Sequence, residues 1–209
     1  SPSATATTSS SSSATAVSIT VGSANFPESE LLAELYAGAL QAKGVSVTKK
    51  LNIASRETYV PALTKGEIDL IPEYTGAFAK YLTADADTSN EAAALASLQA
   101  ALPKTLTALQ PAAAQDKDSI TVTRATADKY SLKTIEDLVP VAGQLVLGGP
   151  PEWKSRSYGV PGLKKDYGLV FREFKALDVA GPLTVQALKN GQGQAANLFT
   201  TDPPIQAND

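Results

Sequence analysis

The chemistry open to this chain is narrowed by what it lacks: it has no histidine and no cysteine. That removes the commonest transition-metal ligands, the side chain best suited to proton transfer near neutral pH, and any thiol or Ser-His nucleophile. No disulfide can form within it. Carboxylates, hydroxyls, guanidinium groups and aromatic rings remain. Glu67, Asp69 and Glu73 alternate along one segment like a carboxylate cluster. Alternation is also the pattern of a solvated strand edge, and we take that reading in preference to general acid/base work. Glu28 and Glu30 lie in the first turn of a predicted helix and serve its dipole. The GGPP run at 148–151 lacks the GK[ST] of a phosphate-binding loop and is taken as a turn. No acidic pair has the motif context of a glycosidase.

The rings and hydroxyls fall in a repeated pattern. ALTKGEIDLIPEYTG starts at Ala62 and ALKNGQGQAANLFTT at Ala187. Each runs Ala-Leu, a Gly four residues after the Ala, a strand, and an aromatic-Thr pair beginning twelve residues after the Ala: Tyr74-Thr75 and Phe199-Thr200. A weaker echo links TVGSANF with VLGGPPEW, where a strand ends at Gly22 or Gly148 and the loop carries Phe26 or Trp153. In an open parallel sheet, ligands bind outside the carboxyl ends of the strands, so two such halves facing each other would converge their rings and hydroxyls on one cleft. Two independent segments converging on a common helix–turn–strand pattern would look the same, and the repeat is too short to decide.

The elements that must position these residues alternate in type. Val17, Ile19 and Val21 alternate up to Gly22 and predict a strand. Pro27 opens a helix with an apolar stripe of Leu31, Leu32, Leu35, Tyr36, Ala39 and Leu40, closed by Gly44. A strand from Val45 to Leu51 or Ile53, a helix over 57–65, a strand over 68–71 and helices over 74–82 and 90–109 follow. A second run has strands near 119–123, 144–148, 171–175 and 194–198, with helices near 134–139, 161–167 and 182–190. TIED, from Thr134, has capping-box character. This order predicts an α/β fold with mostly parallel sheets. The stretch 111–117 is the expected boundary, giving one lobe over 17–116 and another over 117–209.

Composition bounds the partners. The chain has 209 residues, 43% of them hydrophobic, and a net charge of −3 with both signs interspersed. No basic face exists for a phosphate backbone, so nucleic acid is a poor partner. No apolar run approaches the roughly 20 residues of a membrane helix. Residues 1–16, SPSATATTSSSSSATA, are low in complexity and too polar to offset ordering entropy, so a disordered tail is expected there. Such a leash suits tethering to a membrane surface; a cloning remnant or simple terminal fray would have the same composition.

ITVGSANFPESELLAELYAGALQAKG, SRETYVPALTKGEIDLIPEYTG, TADKYSLKTIEDL, GGPPEWKSR and PGLKKDYG, together with the TTDP ending, resemble the substrate-binding proteins of glycine betaine/carnitine/choline ABC transporters. The resemblance runs from about Val17 to Pro203. It implies a two-lobe periplasmic-binding-protein (type II) fold with a two-strand hinge and the ligand cleft between the lobes. It also implies a cage of Tyr rings around a trimethylammonium group, which has no N–H to donate and is held by aromatic faces. A basic side chain and hydroxyls take the ligand carboxylate.

Carried over position by position, the resemblance makes Tyr74 a cage residue with Thr75 beside it. It puts Arg156 where a carboxylate-binding Arg is often found. Phe199, followed by Thr200, falls where many relatives have a cage Tyr. Ser23, Asn25 and Phe26 form the first cleft loop, and Ser55 and Arg56 the second, beside a helix N-terminus suited to an anionic group. Trp153 is expected on the cleft wall or packed in a lid. Asp118 stands at or near a position where many relatives have a ring, and Val160 where several have Tyr, with Tyr158 close by. An acidic residue in place of a ring favours a cation without a carboxylate, such as choline. Relatives continue for several tens of residues beyond TTDP and return to the first lobe, so a truncated chain lacking a final cage residue is expected.

The expected function is therefore that of an extracytoplasmic solute-binding protein, not an enzyme. It would need no cofactor or metal, act as a monomer, be lipid-anchored through a Cys upstream of Ser1, and deliver a quaternary-ammonium osmoprotectant to the permease of an ABC importer. The alternatives are a bulkier solute such as a polyphenol, or a ligand-sensing module on the same fold.

Overall fold

The computed structural model describes residues 17–208, so the expected tail over 1–16 lies outside the described residues. The first sheet pairs β1 (Ser18–Gly22) in parallel with β2 (Ser46–Lys50), from Ser18 opposite Ser46 to Gly22 opposite Lys50. Helix α1 (Pro27–Ala42) makes the crossover. It buries Ser29, Ala33 and Ala37, one small residue per turn, against a layer with Val21, Ile19, Val47 and Leu70. The predicted stripe is corrected here: Leu31 and Leu35 are 60% and 61% exposed, and Tyr36 is exposed too. Small side chains at i, i+4 and i+8 let the helix lie close on the two strands, while of the predicted stripe Leu40 still packs on this layer and Leu31, Leu35 and Tyr36 point away.

Residues 68–71 do not form the predicted strand. They hold one parallel bridge, Val21 with Leu70, because the Asp69 carboxylate takes the Thr20 N–H at 2.7 Å in place of a ladder carbonyl. Helices α2 (Arg56–Thr64), α3 (Thr75–Leu82) and α4 (Glu91–Ala101) complete this half. They pack around Tyr59, Ile68, Phe78 and Leu98. The helix predicted to reach residue 109 stops at 101, because Leu102, which precedes Pro103, is extended with ψ 136°.

The second half is built on a sheet of order β3-β6-β4-β5: β3 (Asp118–Val122), β4 (Val146–Gly149), β5 (Glu173–Ala176) and β6 (Ala195–Phe199). Strand β4 runs parallel to both β5 and β6, whereas β3 is antiparallel to β6. Helices α5 (Arg124–Tyr130), α6 (Val160–Tyr167), α7 (Pro182–Lys189) and α8 (Pro203–Ala207) complete it. Helix α5 was not predicted; Thr123 caps it by accepting from Thr126 N. The predicted 134–139 helix is a short 3-10 turn over Glu136–Leu138, with Asp137 accepting from the backbone of Lys133 and Thr134. Leu145, Leu147, Trp153, Leu163 and Leu169 fill the core on one sheet face. The result is the α/β, mostly parallel, two-lobe class. Among the described residues no helix is long and apolar enough to cross a membrane.

Candidate functional site

Loops from both sheets meet at the carboxyl ends of β1, β4 and β6. Because β3 is antiparallel to β6, its first residue, Asp118, lies opposite Phe199, the last of β6. In the first loop the Ser23 hydroxyl donates to Ala24 O and accepts from Asn52 N, and Ser29 Oγ accepts from Ala24 N. The loop is thereby held by buried hydroxyls, and it delivers Phe26. The Phe26 ring lies 5.3 Å from Phe199 and 6.0 Å from Tyr74, centroid to centroid, so it bridges the two rings of the sequence echo. Tyr74, at the N-cap of α3, donates its hydroxyl to Glu28 Oε1. The other oxygen of Glu28 accepts from Thr201 Oγ1. Burial, then the bond to Glu28, push the Tyr74 phenol above its ordinary pKa. Glu28 thus ties the halves together, beyond the helix-dipole role predicted for it.

A polar network crosses the same junction. Arg56, the first residue of α2, makes two 2.7 Å bonds to Glu73 through Nε and Nη2, and Tyr59 OH donates to Glu73 at 2.9 Å. The Arg56 and Glu73 side chains are 13% and 12% exposed, which corrects the solvated-strand-edge reading of Glu73. Burial disfavours the Arg56 charge, but the Glu73 carboxylate outweighs it and holds the guanidinium well above its ordinary value. Arg56 Nη1 reaches Tyr158 OH at 3.0 Å, and Arg156 Nη1 donates to the same oxygen at 2.9 Å. Arg156 Nη2 pairs with Glu57 at 3.0 Å, and its guanidinium lies 5.6 Å from the Tyr81 ring centroid. The Arg156 side chain is 9% exposed, yet its Nε has no hydrogen-bond partner among the described residues, and neither does the neighbouring Ser157 hydroxyl. Two arginines thus converge on one phenol, and one of them has a buried N–H to spare.

Asp118 accepts from Asn197 Nδ2 at 2.9 Å. Asp118 is an exposed residue at the start of β3, but the packing around its carboxyl desolvates it and pushes it above the ordinary range, and the Asn197 bond opposes this in part. Two hollows of about 340 and 270 Å³ flank β3; Asp118 lines the larger together with apolar residues of β3 and the 132–138 segment and the polar Ser119, Lys133 and Thr134, and neither includes a cluster ring.

Of the sequence-predicted residues, the structure gathers Phe26, Arg56, Tyr74, Asp118, Arg156, Tyr158 and Phe199. Ser23 is instead fully buried with its hydroxyl used inside the loop, because the turn after β1 needs those bonds. Trp153 is 3% exposed and packs in the second core, not on a cleft wall. Thr200 fastens the chain by accepting from Lys117 N and donating to Asp116. Ser55 donates to Glu57, Asn25 is exposed, and Thr75 is a half-buried first residue of α3. Sequence reasoning missed Glu73 and Asn197. The signal for Asn197 was a lone amide in the apolar strand AANLF. Among the described residues no cluster of acidic groups is arranged to hold a metal ion.

Residues 17–209 match the family described as the substrate binding domain of ABC-type glycine betaine transport system. The glycine betaine-binding protein YehZ of Escherichia coli is 28% identical over 90% of this chain and 66% of its own length. A glycine-betaine-binding protein of Pseudomonas aeruginosa is 24% identical over 88% of this chain and 62% of its own. The chain therefore spans just under two thirds of these relatives. Among solved structures, a glycine betaine/carnitine/choline ABC transporter protein superposes with a TM-score of 0.67 at 24% identity, covering 91% of this chain and 72% of that one. Apo YehZ of Escherichia coli gives 0.57 at 26% identity, covering 90% and 72%.

Proposed function

The chain belongs to the family of substrate-binding domains of ABC-type glycine betaine transport systems, and on that premise we propose that it captures a quaternary-ammonium solute for an importer. The observation that carries this reading is the meeting of Phe26 with both Tyr74 and Phe199 where loops of the two sheets converge. A cation without N–H groups is held by ring faces, each contributing on the order of 0.5–2 kcal/mol. Arg156, with its free buried Nε beside Ser157, is placed to take an anionic or acceptor end of the same solute. Asp118 adds negative charge where the resemblance leads one to expect a ring, which favours a cation of the choline kind.

In this reading residues 17–116 and 117–209 act as two lobes. The contacts Arg56–Tyr158, Glu57–Arg156 and Glu28–Thr201 form the seam that closes over the solute. The protein works outside the cytoplasm, lipid-anchored upstream of Ser1, as a monomer presenting the solute to a membrane permease and carrying out no reaction itself. Calorimetric titration with glycine betaine, choline and carnitine tests it.

A further inference from the structure

The segment 150–162 joins β4 to α6 and carries both Arg156 and Tyr158. It is folded tightly on itself. Pro150, Pro151 and Pro161 fix their own φ angles. Trp153 is 3% exposed in the core, and the Tyr158 ring packs on the same cluster. A Cβ on Gly159 would lie 2.1 Å from Trp153 O, and one on Gly162 would lie 2.3 Å from Ser157 O, so close backbone approach demands glycine at both places. Gly159 N donates to Arg156 O at 2.9 Å, and Leu163 N to Gly159 O at 2.9 Å. The segment is therefore a preformed arm that presents the Arg156 and Tyr158 side chains together.

The surface it meets is preformed as well. Arg56 and Glu57 open α2, and the two bonds to Glu73 hold the Arg56 guanidinium in place. The Tyr158 oxygen accepts from Arg56 Nη1 at 3.0 Å and from Arg156 Nη1 at 2.9 Å, one donor from each half of the chain. Two like charges thus meet within hydrogen-bond reach of one oxygen, each backed by its own carboxylate, Glu73 or Glu57. Without that oxygen nothing between the two Nη1 groups accepts from either, and like charges in a partly buried setting repel.

We propose that Tyr158 is the positioning residue for closure of the two halves: the rigid arm presents its phenol oxygen as the shared acceptor that lets Arg56 and Arg156 meet. This rests on the two-lobe reading given above and not on the identity of the solute. Every partner in the clasp belongs to the chain, so a closed population exists before a solute binds, and the solute shifts it further.

The chain has no cysteine, so Lys43→Cys at the end of α1 and Lys165→Cys on α6, both exposed and in different halves, take spin labels at defined places. Pulsed electron double resonance then reads the distance between the halves, without solute and with choline, carnitine or glycine betaine at millimolar concentration. A short-distance population is expected in the labelled protein without solute. Tyr158→Phe keeps the ring and its packing and is expected to reduce that population about threefold or more. Adding Arg156→Gln to Tyr158→Phe removes one of the like charges and should recover most of it, a rescue that lost packing would not give. Gly159→Ala should lower it as Tyr158→Phe does, although the phenol is retained; should Gly159→Ala not fold, Tyr158→Phe and its rescue decide. Absence of the short distance in the labelled protein, an unchanged population in Tyr158→Phe, or a loss that Arg156→Gln fails to reverse would each overturn the proposal. The predicted loss and rescue in samples that calorimetry shows to bind none of the three solutes would support the clasp and overturn the quaternary-ammonium reading alone.

Discussion

Arg156 Nη2 lies 3.0 Å from Glu57 Oε2, an ion pair between residues 99 positions apart that spans the seam between the two sheets. The same guanidinium donates to Tyr158, which Arg56 also reaches, so Arg156 is anchored on both sides of the seam. Arg156→Ala is expected to weaken carnitine or betaine binding about 10-fold or more, since a charge-assisted hydrogen bond is lost from a buried site. Choline, which has no carboxylate, should change by less than about threefold. Parallel titrations of the variant with both solute types check this.

Glu57 is the exposed partner, with 53% of its side chain open. Glu57→Gln should therefore cost no more than about fivefold in affinity, an effect that shrinks as salt is raised. The Glu57 carboxyl is subject first to burial, which raises its pKa, but hydrogen bonds from Ser55 and its own backbone and the Arg156 charge bring it below its ordinary value. A depressed folded pKa means that the pair's contribution is present above the ordinary carboxylate range and is lost as pH falls through the lowered value. Closure should persist below pH ~4.5. Salt- and pH-dependent titration of wild type against Glu57→Gln measures both effects.

At Tyr74 the ring and the hydroxyl have separate tasks. The ring contacts Phe26, and the hydroxyl bonds Glu28. Tyr74→Ala removes a face and should weaken solute binding by up to roughly 30-fold. Tyr74→Phe keeps the face and should alter affinity by less than about threefold. It should lower thermal stability slightly, because Glu28 loses one donor and keeps Thr201. Calorimetry and thermal melts of the two variants separate the roles.

Glu73 holds Arg56 by two bonds in a largely buried setting. Glu73→Ala leaves a buried guanidinium without its counter-charge and should destabilise the fold by about 3 kcal/mol, lowering Tm by roughly 10 °C. A Tm change of under about 2 °C would mean that Arg56 finds another partner.

Asp118 supplies a pH prediction of opposite sign to that of Glu57. Desolvation of its carboxyl by the surrounding packing raises its pKa in the fold. The neutral acid is therefore favoured in the folded state, the ionised form is destabilising above the raised pKa, and that penalty is relieved as pH falls. Cation binding needs the ionised form, so as pH is lowered the affinity for choline should already be falling before pH ~3.9, the ordinary Asp value, is reached. In Asp118→Asn this acid limb should vanish.

The fold was legible in the sequence wherever hydrophobic period and turn residues agreed. Gly22, Pro27 and Pro182 mark element ends that fall within a residue of the observed ones. It failed where a tertiary contact overrode local pattern. The Leu31, Leu35 and Tyr36 stripe looked like a core face, but packing on two short strands favours the smaller Ser29, Ala33 and Ala37. The 68–71 strand was undone by a side chain, Asp69, competing for a backbone donor. In the site, the rings could be found because motif and echo both pointed to Tyr74 and Phe199. Glu73 could not, because alternating acids look solvated until an arginine from another helix is placed against them. Asn197 showed only as a lone amide in the apolar strand AANLF, and the partner of that amide, Asp118, is 79 residues away.

The central claim, that the junction of Phe26, Tyr74 and Phe199 holds a quaternary ammonium, is tested most directly by isothermal titration of the intact protein with choline, carnitine and glycine betaine, in wild type and Tyr74→Ala. The account predicts saturable one-to-one binding of at least one of the three at millimolar concentration or below, with that binding weakened in Tyr74→Ala. Absence of binding of all three at millimolar concentration, or binding unchanged by Tyr74→Ala, would contradict it.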